Sequence, residues 1–179
     1  MQQVTLKDKT FIPYITSDKI LESVKKVALK INADLAHENP LFLVVLNGSF
    51  MFAADLLKEV TIPCELSFIK LASYHGTSST GVVTEMIGLT EEVENRTVVI
   101  VEDIVDTGVT IEKLVGLLTK KHVKQIKIAS FLLKPDAYKK STKIDYVGIE
   151  IPNDFVVGYG LDYDGLGRNL KNVYVLDSK

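Results

Sequence analysis

The stretch Thr97 to Thr110, TVVIVEDIVDTGVT, limits the folds open to this chain more than any other segment. Thr97 to Val101 form a β-branched, apolar run of the kind needed by a strand buried on both faces. The run ends on two adjacent carboxylates, Glu102 and Asp103, and a third, Asp106, lies in a turn carrying Thr107, Gly108 and Thr110. Beyond the turn, Ile111, Leu114, Val115 and Leu118 recur at helical spacing, which predicts an amphipathic helix. An apolar strand feeding a helix through a short turn is the opening of a parallel crossover unit. The turn also suits a sugar phosphate. Backbone N–H groups at a helix N-terminus attract phosphate, and glycine lets the main chain come close to it. The neighbouring carboxylates can hold ribose hydroxyls or Mg²⁺, or move a proton.

The rest of the chain keeps the alternation. A helix is predicted over 18–37, with Ile20, Val24, Val27, Ile31 and Leu35 on one face and Thr16, Ser17 and Asp18 offering caps. Leu41 to Leu46 reads as a short buried strand, and Asn47, Gly48 and Ser49 turn it into a helix over about 50–58. Cys64 to Ala72 reads as a strand with Leu66, Phe68 and Lys70 on one side, and the polar loop SYHGTSSTG follows. Val82 to Leu89 suggests a return strand. After the strand at 97–102 and a helix over 110–121, Ile126 to Leu133, Tyr146 to Ile149 and Val173 to Leu176 complete the strands. The expectation is one domain over residues 1–179: an α/β fold with a mostly parallel central sheet, helices on both faces and a site at the carboxyl ends of the strands.

Composition narrows the function. A net charge of −2 over 179 residues gives no overall attraction to nucleic acid or to anionic membranes. No apolar stretch approaches the roughly 20 residues that span a bilayer, and the N-terminal residues lack an apolar signal core, so a cytoplasmic location is expected. Cys64, the single cysteine, allows no intrachain disulfide and is expected as a small buried hydrophobe within its strand. His37, His75 and His122 have no metal-like spacing. Lys120, Lys121, Lys124 and Lys127 read as a solvated face near a helix end.

An acidic helix cap after a core strand is the plain reading of the central segment. It leaves unexplained why two carboxylates stand back to back with a third close by, since like charges repel unless a cation, a hydroxyl-rich ligand or water separates them. The segment lacks the spaced glycines of a dinucleotide fingerprint and the GxxxxGK[ST] of a Walker loop. Elsewhere, Lys134 follows an apolar strand and precedes Pro135, and Asp154 to Tyr163 reads DFVVGYGLDY with Arg168 beyond it.

Together these motifs resemble the type I phosphoribosyltransferases, and within them the hypoxanthine–guanine phosphoribosyltransferases, from about Leu41 to Leu176. The resemblance implies a type I phosphoribosyltransferase-like fold with a small hood. It further implies Mg²⁺-dependent transfer of 5-phosphoribosyl from phosphoribosyl diphosphate to N9 of hypoxanthine and, sharing the 6-oxo group, guanine. The products would be IMP or GMP and diphosphate, in purine salvage. By the same resemblance Glu102 and Asp103 hold the ribose hydroxyls, and Asp106, Thr107, Gly108, Val109 and Thr110 wrap the 5′-phosphate, with Asp106 also the catalytic acid/base. Asn47, Gly48 and Ser49 would bind diphosphate together with Arg168. Many members have lysine where Asn47 stands, so this chain departs there. Ser73 and Tyr74 begin a lid; composition alone favours a plain surface loop there. Lys134, Phe155, Val156, Leu161 and Asp162 surround the purine, and Glu102, Asp103 and Asp162 are the expected metal ligands. A lysine donor suits a 6-oxopurine and is wrong for adenine, whose amino group is itself a donor. Xanthine stays open as an alternative base. A regulator built on the same fold should show a basic face, which this chain lacks. The resemblance also implies a homo-dimer or homo-tetramer.

Overall fold

Two antiparallel segments far apart in sequence, the N-terminal hairpin and the C-terminal strand, share a small sheet above a larger parallel one. The computed structural model describes residues 2–72 and 84–177. In chain order the elements are β1 (Val4–Leu6), β2 (Lys9–Ile15), α1 (Ser17–Asp34), β3 (Leu41–Val45), α2 (Phe50–Glu59), β4 (Glu65–Ala72), β5 (Thr84–Ile87), β6 (Thr97–Val105), α3 (Val109–Lys120), β7 (Gln125–Leu133), β8 (Tyr146–Glu150), β9 (Val156–Val157) and β10 (Val173–Leu176). The large sheet has the order β5-β4-β3-β6-β7-β8, and all its pairings are parallel except that of β5 with β4. The small sheet, β1-β2-β10-β9, is antiparallel and forms the hood.

The apolar runs form strands because both faces of the parallel sheet are covered. Alternate residues of β3 serve separate cores: Phe42 and Val44 pack with α1 and α2, while Leu41, Leu43 and Val45 pack with α3. On α1 the expected stripe of Ile20, Val24, Val27 and Ile31 is buried, and the Thr16 hydroxyl caps the helix by accepting from the Lys19 N–H at 3.3 Å. On α3 Ile111, Leu114 and Leu118 are buried, with Val115 packed at the edge. Each such fully buried aliphatic side chain contributes about 1.5–3 kcal/mol.

Topology places the site. The connection from β3 through α2 leads to β4 on one side, and that from β6 through α3 leads to β7 on the other. The carboxyl ends of β3 and β6 are thus neighbours whose loops diverge, leaving a crevice between them. Among the described residues no helix is long and apolar enough to cross a membrane.

Several expectations need correction. Cys64 stands just before β4 and is exposed. Leu66 and Phe68 do share a side of β4, as expected, and that side faces outward at 44% and 42% exposure, the inward residues being Ser67 and Ile69. Strand β6 continues through the acidic pair to Val105. Lys127 is half-buried and paired with Asp145 at 3.2 Å, and Lys124 pairs with Glu38, so the lysine group is only partly a solvated face. The turn into α2 lies where expected, and within it the Ser49 hydroxyl donates back to the Val45 carbonyl.

Candidate active site

Register does most of the assembly. Val105 pairs with Leu133 across β6 and β7, so the residues that follow, Asp106 and Lys134, emerge side by side. The Lys134 N–H donates to the Val105 carbonyl at 2.9 Å, and its ammonium donates to the Asp106 carboxylate at 2.8 Å. Lys134 is buried, with only 9% of its surface exposed, whereas the Asp106 side chain is about half open at 47%. A buried lysine needs a partner, and here it has one. It is no solvated strand-end lysine.

Gly108 follows in the turn with φ +79°, and a Cβ there would lie 2.4 Å from the Tyr138 ring. Glycine is required on both counts. The N-cap of α3 is Gly108, which has no side chain to cap it, so among the described residues the N–H groups of its first turn are left for another acceptor. Thr107 is exposed, Thr110 half-buried, and Val109 46% exposed.

Between β3 and β6 lies a cavity of about 540 Å³. Asn47 and Gly48 form one wall and Glu102, Asp103 and Thr110 another, while Asp162 and Arg168 reach in from the hood segment. The packing is close. A Cβ on Gly48 would stand 1.4 Å from an Asp103 carboxylate oxygen, and one on Gly160 would stand 1.9 Å from the Gly48 carbonyl. Gly158, Tyr159 and Gly160 all have positive φ, at 97°, 49° and 99°. The buried Tyr159 hydroxyl donates to Asp55 of α2 at 2.8 Å and ties this strained turn to the main body.

Two carboxylates are held here under unfavourable conditions. Burial, reinforced by the Asp103 charge, holds the Glu102 carboxyl well above the usual carboxylate range. Its Oε2 is buried with no hydrogen-bond partner among the described residues. Burial also pushes Asp103 up to about 6, although the Ile104 N–H, donating at 2.7 Å, and the Arg168 guanidinium hold it part of the way down. Arg168 donates to Asp162 at 2.6 Å and to the Gly160 carbonyl at 2.7 Å. Asp162 also accepts from the Gly165 N–H at 2.7 Å.

The sequence-predicted residues therefore fall into two adjoining groups. Asn47, Gly48, Glu102, Asp103, Thr110, Asp162 and Arg168 share the cavity; Asp106 and Lys134 pair beside it. Ser49 is fully buried behind its loop. Phe155 is 46% exposed and stands on Phe11 and Tyr163, with ring centroids 6.2 and 6.0 Å away, so one apolar surface stays open. The Val156 and Leu161 side chains instead join the main core, which leaves only their backbone groups to meet a ligand. Ser73 and Tyr74 lie outside the described residues. Among those described, no three acid, histidine or cysteine side chains form a ready-made metal cage, since Asp162 is engaged with Arg168. Sequence reasoning missed Lys113, which also lines the cavity. It stands three residues after Thr110 on the same helical face, so the helical period was a usable signal.

A strand-end acid pair, a glycine–threonine turn opening a helix, and a crevice at the point where the strand order diverges define a sugar-phosphate transferase site. The chain belongs to the phosphoribosyl transferase family, whose domain pattern matches residues 15–164. Its relatives lie on the hypoxanthine–guanine branch. It is 39% identical over 163 residues to the hypoxanthine-guanine phosphoribosyltransferase of Streptococcus pneumoniae strain R6, covering 90% of this chain and 91% of the relative. The enzyme of that name from Mycobacterium tuberculosis strain H37Rv is 36% identical over 172 residues, covering 92% and 85% of the two chains. A crystal structure of a hypoxanthine phosphoribosyltransferase from Staphylococcus aureus superposes with a TM-score of 0.86 at 36% identity, over 92% of this chain and 90% of that one.

Proposed function

We propose that the chain transfers the 5-phosphoribosyl group of phosphoribosyl diphosphate to N9 of hypoxanthine and guanine, giving IMP or GMP and diphosphate. The observation that carries this reading is the buried Lys134 paired with Asp106 beside the turn that opens α3. Lysine has three N–H donors. One is used on Asp106, and another serves the purine 6-oxo group, so the same pair reads the base and handles its proton. As the N9–C1 bond forms and the C1–O bond to diphosphate breaks, the N7 proton passes to Asp106 and the electron pair leaves with diphosphate. Phe155 supplies the apolar surface under the base, and the backbone at Val156 meets its edge. The uncapped N–H groups of α3 and the hydroxyls of Thr107 and Thr110 hold the 5′-phosphate.

Glu102 and Asp103 face the ribose diol. A buried carboxylate oxygen without a partner, beside a second buried carboxylate, suits a hard cation and sugar hydroxyls. These two residues fit Mg²⁺, which takes one or two carboxylates together with substrate oxygens. When bound, Mg²⁺ supplies charge neutralisation for the departing diphosphate. Arg168 and the Gly48 backbone face that same leaving group, and Asp162 holds the Arg168 fork in position.

The test is steady-state turnover of each purine with phosphoribosyl diphosphate and Mg²⁺, with products separated and identified. IMP from hypoxanthine, GMP from guanine and no product from adenine are expected. Failure to form nucleotide from any 6-oxopurine, or equal use of adenine, overturns the reading. Xanthine in the same panel tests how far the 6-oxo contact alone governs choice.

A further inference from the structure

We propose that Lys113 is a binding residue for the diphosphate of phosphoribosyl diphosphate, as the cation lining this cavity that is left unpaired among the described residues; the inference rests on the transferase reading above. Lys113 is the fifth residue of α3, one turn after Thr110, and lines the cavity with Asn47, Gly48 and Arg168. Among the described residues three neighbouring cations are already paired. Arg168 is paired with Asp162 at 2.6 Å, Lys134 with Asp106 at 2.8 Å, and Lys140 with Glu112, the residue next to Lys113, at 2.8 Å. Among the described residues the Lys113 ammonium has no hydrogen bond and no ion pair. A free lysine on an open surface would be ordinary. This one borders a cavity that already contains Glu102, Asp103 and Asp162, where a polyanionic leaving group must be accommodated.

The charge balance sets the demand. Arg168 is paired with Asp162, and Asn47 is uncharged, so the loop after β3 brings only amide groups. Diphosphate arriving beside three carboxylates needs a cation held by the protein as well as one in solution, and Lys113 is placed to be that cation. Of the phosphate turn, Asp106, Thr107, Gly108 and Val109 do not border this cavity and Thr110 does, with Lys113 one turn beyond it; IMP, which carries only the 5′-phosphate, therefore tells a diphosphate role from a 5′-phosphate one. The Lys113 side chain is exposed, so its loss leaves the core of α3 untouched.

The experiment uses the full chain and its Lys113→Ala and Lys113→Arg variants. Inorganic diphosphate with Mg²⁺, and separately IMP, are titrated by calorimetry, and KM is measured for phosphoribosyl diphosphate and hypoxanthine. Lys113→Ala should weaken diphosphate about ten-fold and raise KM for phosphoribosyl diphosphate to match, the scale of one exposed charge-assisted hydrogen bond. IMP affinity and KM for hypoxanthine should hold within about two-fold, and arginine should recover most of the loss. The gap between wild type and Lys113→Ala should narrow as salt is raised. Unchanged diphosphate affinity, or an equal loss for IMP, overturns the role. Wild-type chain that makes no nucleotide from any purine refutes the transferase reading instead. Wild-type turnover alongside undiminished diphosphate binding in the alanine variant refutes only Lys113.

Discussion

Replacing Asp103 by asparagine should make the ligand-free chain more stable at neutral pH. In the fold the carboxyl is raised from 3.8 to about 6, chiefly by burial. Holding a carboxyl one pH unit above its ordinary value corresponds to about 1.4 kcal/mol, so the buried charge costs at most about 3 kcal/mol. Residual contact with solvent brings the expected gain to about 1–2 kcal/mol. The direction with pH follows from proton uptake: between roughly pH 4 and pH 6 the folded chain keeps a proton that the unfolded chain releases. Wild-type stability therefore falls as pH rises through that window, and the full penalty stands above it. Asparagine has no such titration, and its carbonyl oxygen can still accept from the Ile104 N–H. Thermal melts without ligand, from pH 4 to pH 8, should show Asp103→Asn melting about 2–8 °C higher at pH 7.5, with the gap closing toward pH 4. Adding phosphoribosyl diphosphate and Mg²⁺ should help the wild type more than the variant. A variant less stable than wild type at pH 7.5, or a gap independent of pH, would refute the idea that this carboxylate is held at a cost to the fold.

Asp106→Asn should lower kcat by about 10²–10⁴-fold, the scale of a lost general acid/base, with little change in phosphoribosyl diphosphate affinity; equal loss in both, measured by steady-state kinetics and calorimetry, would remove the proton role. Lys134→Ala should impair 6-oxopurine use selectively, seen as a raised KM for hypoxanthine with phosphoribosyl diphosphate binding in the absence of base retained. Gly48→Ala forces its new methyl group into the Asp103 carboxylate and should cost about 1–3 kcal/mol in denaturant unfolding, with turnover lost through displacement of that acid.

The framework was legible where burial covers both faces of an element. Thr97 to Val101, Leu41 to Val45 and the stripe on α1 carry their period openly, and Val173 to Leu176 is the observed β10. The N-terminal hairpin was not read, because Pro13 within Lys9–Ile15 argues against a paired strand. The structure accommodates it beside a register shift in β10 between Val173 and Tyr174, where Pro13 pairs with Tyr174. In β4 the alternation was visible but its direction was not: a period of two does not say which face meets water, and Leu66 and Phe68 turned out to face outward. The acids of the site stood out as a motif. That Asp106 and Lys134 pair depends on β6–β7 register across 28 residues, which no local pattern carries. Lys113 was hidden among many surface lysines until the cavity gave one of them a neighbourhood.

The close approach of Gly48, Gly160 and Asp103 has a mechanical consequence. The loop after β3 and the hood turn meet backbone to backbone, with no side chain between them to act as a cushion. Tyr159, flanked by two glycines and moored to α2, fastens one half of this clasp, and the Asp103 carboxylate is wedged against the other. Displacing the hood drags the β3 loop and disturbs the acid at once. In the proposed reaction this end of the crevice, which would take the leaving group, behaves as a single stiff jaw, and adaptation to a different base is to be sought at Phe155 and Lys134, which follow different parts of the chain.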